Sequence, residues 1–161
     1  MVAFCLVLAV VATAVGVPLA RHDEDRAIET PQAGRSTWTE VLADLDVRRN
    51  SALAAGDRRA LRAVDVPGGP AERADRAAMT ALARAGLRPS GLALVTATVG
   101  VLDATAQRVR LGVVDRRSAY SLVDSAGVVV ERVPARGPKG WTVELERFGT
   151  RWRTASVTPR R

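Results

Sequence analysis

The sequence predicts an α+β fold: N-terminal helices packed on a curved antiparallel sheet of about six strands, preceded by a single N-terminal transmembrane helix. Three observations predict it. Residues 1–20 are apolar and carry no charge. Between Thr37 and Leu87, apolar residues recur at helical spacing. After Gly91 the period falls from 3.6 to 2.

Met1–Ala20 reads MVAFCLVLAVVATAVGVPLA. Twenty helical residues span roughly 30 Å, the thickness of a bilayer's hydrocarbon core. The chain turns charged at once, through Arg21, His22, Asp23, Glu24, Asp25 and Arg26. A transmembrane signal anchor and a cleaved signal peptide compete here. A cleavable segment has a shorter apolar stretch and a small-x-small site. Ala12-Thr13-Ala14 fits that site but lies inside the run, and Pro18-Leu19-Ala20 has proline at the −3 position. The length favours the anchor. Arg21, Arg26 and Arg35 follow the run and no Lys or Arg precedes it, so the positive-inside rule alone places the domain in the cytoplasm. A run beginning at residue 2 has an unusually short leading region, or a start site assigned too late, and the expectation taken is export. The chain is therefore expected at the cell membrane as a single-pass protein with its domain extracytoplasmic.

Residues 21–36 are polar, include Pro31 and Gly34, and read as a linker. The domain is expected over 37–158, with 159–161 a tail. Thr37-Trp38-Thr39-Glu40 is a capping-box pattern with Thr37 at the N-cap. Trp38, Val41, Leu42, Leu45, Arg49, Ala52 and Leu53 then share one helix face, and Gly56 ends the helix. Asp57 can cap a short second helix holding Leu61 and Val64. Val66–Pro70 is a loop whose Pro70 suits a first helical position. Ala74, Ala78, Leu82 and Ala85, with Met79, line the next helix, and Gly86 stops it.

Strands are expected at Leu92–Asp103, Gln107–Asp115, Ser118–Val123, Val128–Val133, Trp141–Arg147 and Arg151–Thr158. Arg108 and Arg110 share one face of their strand; Val109, Leu111 and Val113 share the other. Asp124-Ser125-Ala126-Gly127 is a hairpin turn, and Pro134–Gly140 reads as a loop. The last hairpin, turning at Phe148-Gly149, is expected to set Leu145 against Trp152 and Val143 against Thr154. Its other face then pairs Glu146 with Arg151 and Glu144 with Arg153.

The net charge is +7, with 24 Lys and Arg against 17 Asp and Glu. Lys139 is the one lysine. Arginine in place of lysine, with heavy use of Ala, Val, Leu and Gly, fits coding bias in a GC-rich genome such as an actinobacterial one. The alternative is contact with an anionic partner. The lone cysteine, Cys5, and the lone histidine, His22, both precede the domain. That removes disulfides, Ser-His and Cys-His nucleophilic sites, and the usual zinc and copper sites from it. Gly68-Gly69 lacks the ending and the preceding strand of a phosphate loop. No catalytic, cofactor-binding or metal-binding residue is assigned. Trp38, Tyr120, Trp141 and Trp152 are candidates to line a pocket or fill the core. Arg132, Arg136 and Lys139 are candidates for an anion contact. There is no helix-turn-helix or RNA-binding motif, so nucleic acid is not an expected partner.

Helices first and hairpins after, with Trp141-Thr-Val-Glu-Leu, a turn and Trp152-Arg at the end, resemble the nuclear-transport-factor-2-like (NTF2-like) superfamily, the cone fold shared with ketosteroid isomerases. The run Leu45-Asp-x-x-Arg-x-x-Ala-Leu-x-x-Gly-Asp57 resembles membrane-tethered actinobacterial domains of that kind. The resemblance implies that the first helix lies across the sheet and closes a pocket. It also implies one enzymatic option, a carboxylate base with Tyr120 as donor and Asp103, Asp115 or Asp124 nearby. Fold alone does not transfer function. The expectation is a membrane-anchored accessory or ligand-binding domain without catalysis, its partner a protein or small molecule. The alternatives are a protein–protein module of an envelope complex or homodimer, and a cone-pocket isomerase or hydratase. A closed aromatic pocket with a buried carboxylate would favour the enzyme. A filled interior with exposed apolar sheet surface would favour the interaction module.

Overall fold

The structure is a computed structural model that describes the backbone of residues 35–160 and the side chains of 38–160. The expected span Met1–Ala20 and the linker up to Gly34 lie outside the described residues. No helix among the described residues is long and apolar enough to cross a membrane.

Three helices precede seven strands: α1 Arg35–Ala55, α2 Arg58–Arg62, α3 Pro70–Ala85, then β1 Arg88–Ser90, β2 Leu94–Ala104, β3 Arg108–Arg117, β4 Tyr120–Val123, β5 Val129–Val133, β6 Arg136–Phe148 and β7 Arg151–Pro159. The fold is α+β, as expected. The strands form two antiparallel sheets, ordered β2-β3-β6-β7 and β1-β4-β5.

Local signals account for most boundaries. The Asp57 carboxylate accepts the Arg59 and Ala60 N–H groups at 2.8 and 3.0 Å, capping α2, and Leu61 and Val64 below it are buried. Pro70 opens α3. Asp124 Oδ1 accepts the N–H groups of Ala126 and Val128, both at 2.9 Å, fixing the β4–β5 turn.

Four expectations are corrected. Helix α1 begins at Arg35, so Thr37 lies inside it rather than at its cap; Gly34 is the last helix-breaking residue before it. Arg88-Pro89-Ser90 is a strand, paired with β4 at the edge of its sheet, where a proline without an N–H is tolerated. Arg136–Gly140 is strand, not loop: β6 starts at Arg136 and pairs with β3 through Asp115↔Lys139. Strand β7 reaches only as far as Trp141↔Pro159, and the pairing with β3 slips between Asp115↔Lys139 and Arg117↔Arg136, so Pro138 sits at an irregularity where it costs no ladder hydrogen bond.

The fourth correction concerns the last hairpin. Its register is Leu145↔Thr154, Glu146↔Arg153 and Arg147↔Trp152, two residues from that expected. The turn is Gly149-Thr150, with Gly149 at φ +62 taking the first loop position, a geometry that glycine adopts without strain. Glu146 and Glu144 find their cations on the neighbouring strand: Arg108–Glu146 at 2.7 Å and Arg110–Glu144 at 3.4 Å. Strand β6 is interior, so both its neighbours compete for those carboxylates, and β3 wins. Val143 and Leu145 still face the core.

The main core lies between α1 and the four-stranded sheet. Leu42 and Leu45 meet Val109, Leu111, Val113, Val143 and Leu145, with Val64 beside them. A second cluster of Ala52, Leu53, Leu61 and Met79 joins α1, α2 and α3. The chain after α2 runs beside β7. Val66 N–H donates to Thr154 O and Thr154 N–H to Val64 O, both at 2.9 Å, which carries Asp65 into the interior. Gly69 permits this approach, because a Cβ there would stand 2.9 Å from Val66 O and 3.2 Å from Ala155 O.

Candidate functional site

The interior under α1 is where the resemblance puts a pocket, and three of the four candidate aromatic residues reach it. Trp38 on α1 and Trp152 on β7 meet edge to face, ring centroids 5.2 Å apart and planes at 68°. Both pack on the main apolar cluster, as does Trp141 on β6. The Trp141 indole N–H donates to Asp115 Oδ1 at 3.0 Å, and Lys139 Nζ lies 4.4 Å from its ring centroid. Tyr120 stands apart, on β4 of the three-stranded sheet, with the Arg117 guanidinium 5.2 Å from its ring.

Of the candidate anion contacts, Arg136 and Lys139 come together over Trp141, while Arg132 stands exposed on β5. Arg136 is already engaged, in an ion pair with the Asp115 oxygen that also takes the Trp141 N–H. Asp103 is exposed on β2, and Asp124 is held in its turn. The residues the isomerase-like option requires are thus scattered: Asp115 is tied to Arg136 and Trp141, and Tyr120 belongs to the other sheet.

The structure also gathers buried charge that the sequence reading missed. Arg49 grips Asp75 with two hydrogen bonds, Nε to Oδ2 at 2.5 Å and Nη2 to Oδ1. Glu72 Oε2, also buried, accepts the Gly68 N–H at 2.7 Å. Asp65 is fully buried, and neither of its oxygens meets a donor. Burial first, then the negative charge of Asp75, push the Asp65 carboxyl up to about 7, against the pull of Arg49. In its neutral form Asp65 can donate a proton toward Asp75. Asp46, one turn before Arg49, is raised to about 6, mainly by burial, with Arg49 opposing and Asp115 and Asp75 adding to the rise. Burial works against the charge of Arg49, but the hydrogen bond and charge of Asp75 outweigh it.

This network ties α1 to α3 rather than facing a substrate, since Asp65 has no solvent exposure. Among the described residues no group of three acidic, His or Cys side chains is arranged to hold a metal ion. A signal for the network was present: Arg49 falls on the apolar face of α1, and a charge there needs a buried partner. Glu72, Asp75 and Met79 form the inward stripe of α3. Charged residues in such a stripe read as solvated until their partner is known.

Val41, Asp44, Arg48, Thr150, Arg151 and Trp152 line an open groove of about 350 Å³ between α1 and the β6–β7 turn.

No protein-family profile and no curated protein matches the chain. Among solved structures, the intermembrane space region of the chloroplast protein ARC6 is similar, with TM-score 0.58 and 14% identity over 81% of this chain and 100% of that one. At that identity the likeness shows the fold alone. Weaker neighbours include a putative dehydratase from the NTF2-like family from Streptomyces avermitilis (TM-score 0.48, 14% identity, 78% of this chain and 99% of that one). Another is a putative calcium/calmodulin dependent protein kinase II association domain from Xanthomonas campestris (TM-score 0.48, 18% identity, 86% and 95%).

Proposed function

We propose that this chain is a non-catalytic accessory domain of the NTF2-like superfamily, of the membrane-tethered kind, held outside the cytoplasm by Met1–Ala20 and working through contact with a partner protein. The observation that carries the reading is the filled interior. The space under α1 is occupied by Leu42, Leu45, Val109, Leu111, Val113, Val143 and Leu145, with Trp38 and Trp152 packed against them. The buried carboxylates support it as well, since Asp75 and Asp115 are bound to arginines and Asp65 is sealed in. Exposed apolar side chains supply contact surface instead. Val95, Val101 and Leu102 stand on β2, an edge strand, and Val128, Val129 and Val130 at the β4–β5 turn and on β5. A second copy of the chain is one partner this surface would accept.

Protease added to spheroplasts of cells expressing the full chain tests the tether and its direction. The reading expects the chain in the membrane fraction and its domain digested from outside. A chain recovered wholly from the soluble cytosol, or a membrane-bound domain resistant to protease, overturns it.

A further inference from the structure

The β6–β7 hairpin ends in an aromatic ring among arginines that have no carboxylate partner among the described residues. Phe148 is 39% exposed, and the Arg153 guanidinium lies 4.6 Å from its ring centroid. Arg147 and Arg151 are exposed on either side of the turn. Arg48, Arg49, Arg76, Arg108, Arg110 and Arg136 each have a carboxylate partner. Arg147, Arg151 and Arg153, like Arg58, Arg62 and Arg132 elsewhere, have none among the described residues, but only here do three of them surround an exposed aromatic ring; Arg147 donates through Nε to Gly149 O at 3.0 Å. The β2–β3 turn sits beside the tip, with the Arg147 N–H donating to Gln107 O at 2.9 Å. Val101 and Leu102 are exposed near that end of β2. The chain also enters the domain there: Trp38, in the first turn of α1, meets Trp152, the residue after Arg151.

From this placement we infer that the β6–β7 tip is a lipid-contact surface, with Phe148 at headgroup level of an anionic bilayer and Arg147, Arg151 and Arg153 on lipid phosphates. The inference rests on the reading that Met1–Ala20 spans the membrane. Fourteen residues, 21–34, separate that run from α1, few enough to keep the start of α1 close to the bilayer. The end of the domain nearest the bilayer is therefore the one that carries the tip. The segment between is net acidic, with Asp23, Glu24, Asp25 and Glu29 against Arg21 and Arg26, so it adds no net positive charge to that of the hairpin and of Arg35. An exposed aromatic flanked by long cationic side chains matches the chemistry of a headgroup layer, where the ring sits at the apolar boundary and guanidinium groups reach phosphate.

The test uses the full chain with Cys5→Ser and Thr150→Cys, labelled at position 150 with a fluorophore. It is reconstituted into vesicles of phosphatidylcholine alone or mixed with phosphatidylglycerol, both holding a headgroup-spin-labelled lipid as quencher. Quenching should rise severalfold with phosphatidylglycerol. The gain should be lost in Arg147→Glu/Arg151→Glu and in Phe148→Ser, and kept in Arg151→Lys. Unchanged circular dichroism identifies folded variants, and the charge-reversed one alters only exposed side chains. Failure to float with either vesicle overturns the tether and this inference with it. Floating with quenching that ignores phosphatidylglycerol, or survives charge reversal, overturns this inference alone.

Discussion

Trp38 and Trp152 lie edge to face at 5.2 Å, and this contact fastens the start of α1 to the first residues of the last strand. Helix and strand are more than a hundred residues apart in sequence, so the pair closes the domain end to end. Such pairs add about 0.5–1.5 kcal/mol beyond the area they bury. Both rings are half-buried, so Trp38→Ala should cost about 3 kcal/mol, the low end for removing a large aromatic. Chemical denaturation of the single and double Trp38 and Trp152 variants checks it. A loss below about 1 kcal/mol, the size of a surface change, contradicts the packing role.

The Arg49–Asp75 pair should show the asymmetry of buried charges. Arg49→Met alone leaves Asp75 buried without its cation and should destabilise by about 3–5 kcal/mol. Arg49→Met combined with Asp75→Leu removes both charges and should recover much of that loss. A double variant no better than the sum of the singles would show that the pair is not the connection between α1 and α3.

Stability should fall as pH rises from about 4 to 7. Asp65 and Asp46 have folded pKa values of about 7 and about 6, above the ordinary 3.8. The folded protein therefore keeps protons that the unfolded chain has released. Their contribution is full below pH 3.8, shrinks as pH rises through the folded values, and is gone above about 7. Asp65→Asn should flatten this dependence. Urea denaturation of both proteins at pH 5 and pH 8 measures it, and parallel pH profiles would place the proton elsewhere.

The sequence carried the element order, because apolar period and caps are local properties. It did not carry the hairpin register. Glu144 and Glu146 looked toward β7 as long as β6 was read only in its hairpin, but β3 on the other side supplies Arg108 and Arg110. Pro138 masked the start of β6, since its tolerance there depends on β7 stopping short and on the irregular pairing with β3. The buried acids were hidden for a similar reason. Asp65 is drawn inward by backbone pairing with Thr154, a contact between distant segments that no local pattern records. The three tryptophans were candidates for pocket or core from their place on apolar faces, and they pack, partly buried, against the main cluster.

Gly69 should not tolerate a side chain. A methyl group there would meet two backbone carbonyl oxygens, which have little room to yield. Gly69→Ala should cost about 1–3 kcal/mol, the range for overpacking. A thermal transition unchanged from the parent would show that the Val64–Gly69 segment can move away from β7.

The central claim is that the interior under α1 is packed core rather than a ligand cup. Leu111→Ala tests it most directly, because Leu111 is fully buried at the centre of β3 and faces that space. Chemical denaturation should show a loss of about 2–5 kcal/mol, as expected for a cavity opened in a filled core. A loss below about 1 kcal/mol would mean that the space around Leu111 is already open, and would return the domain to the ligand-binding class.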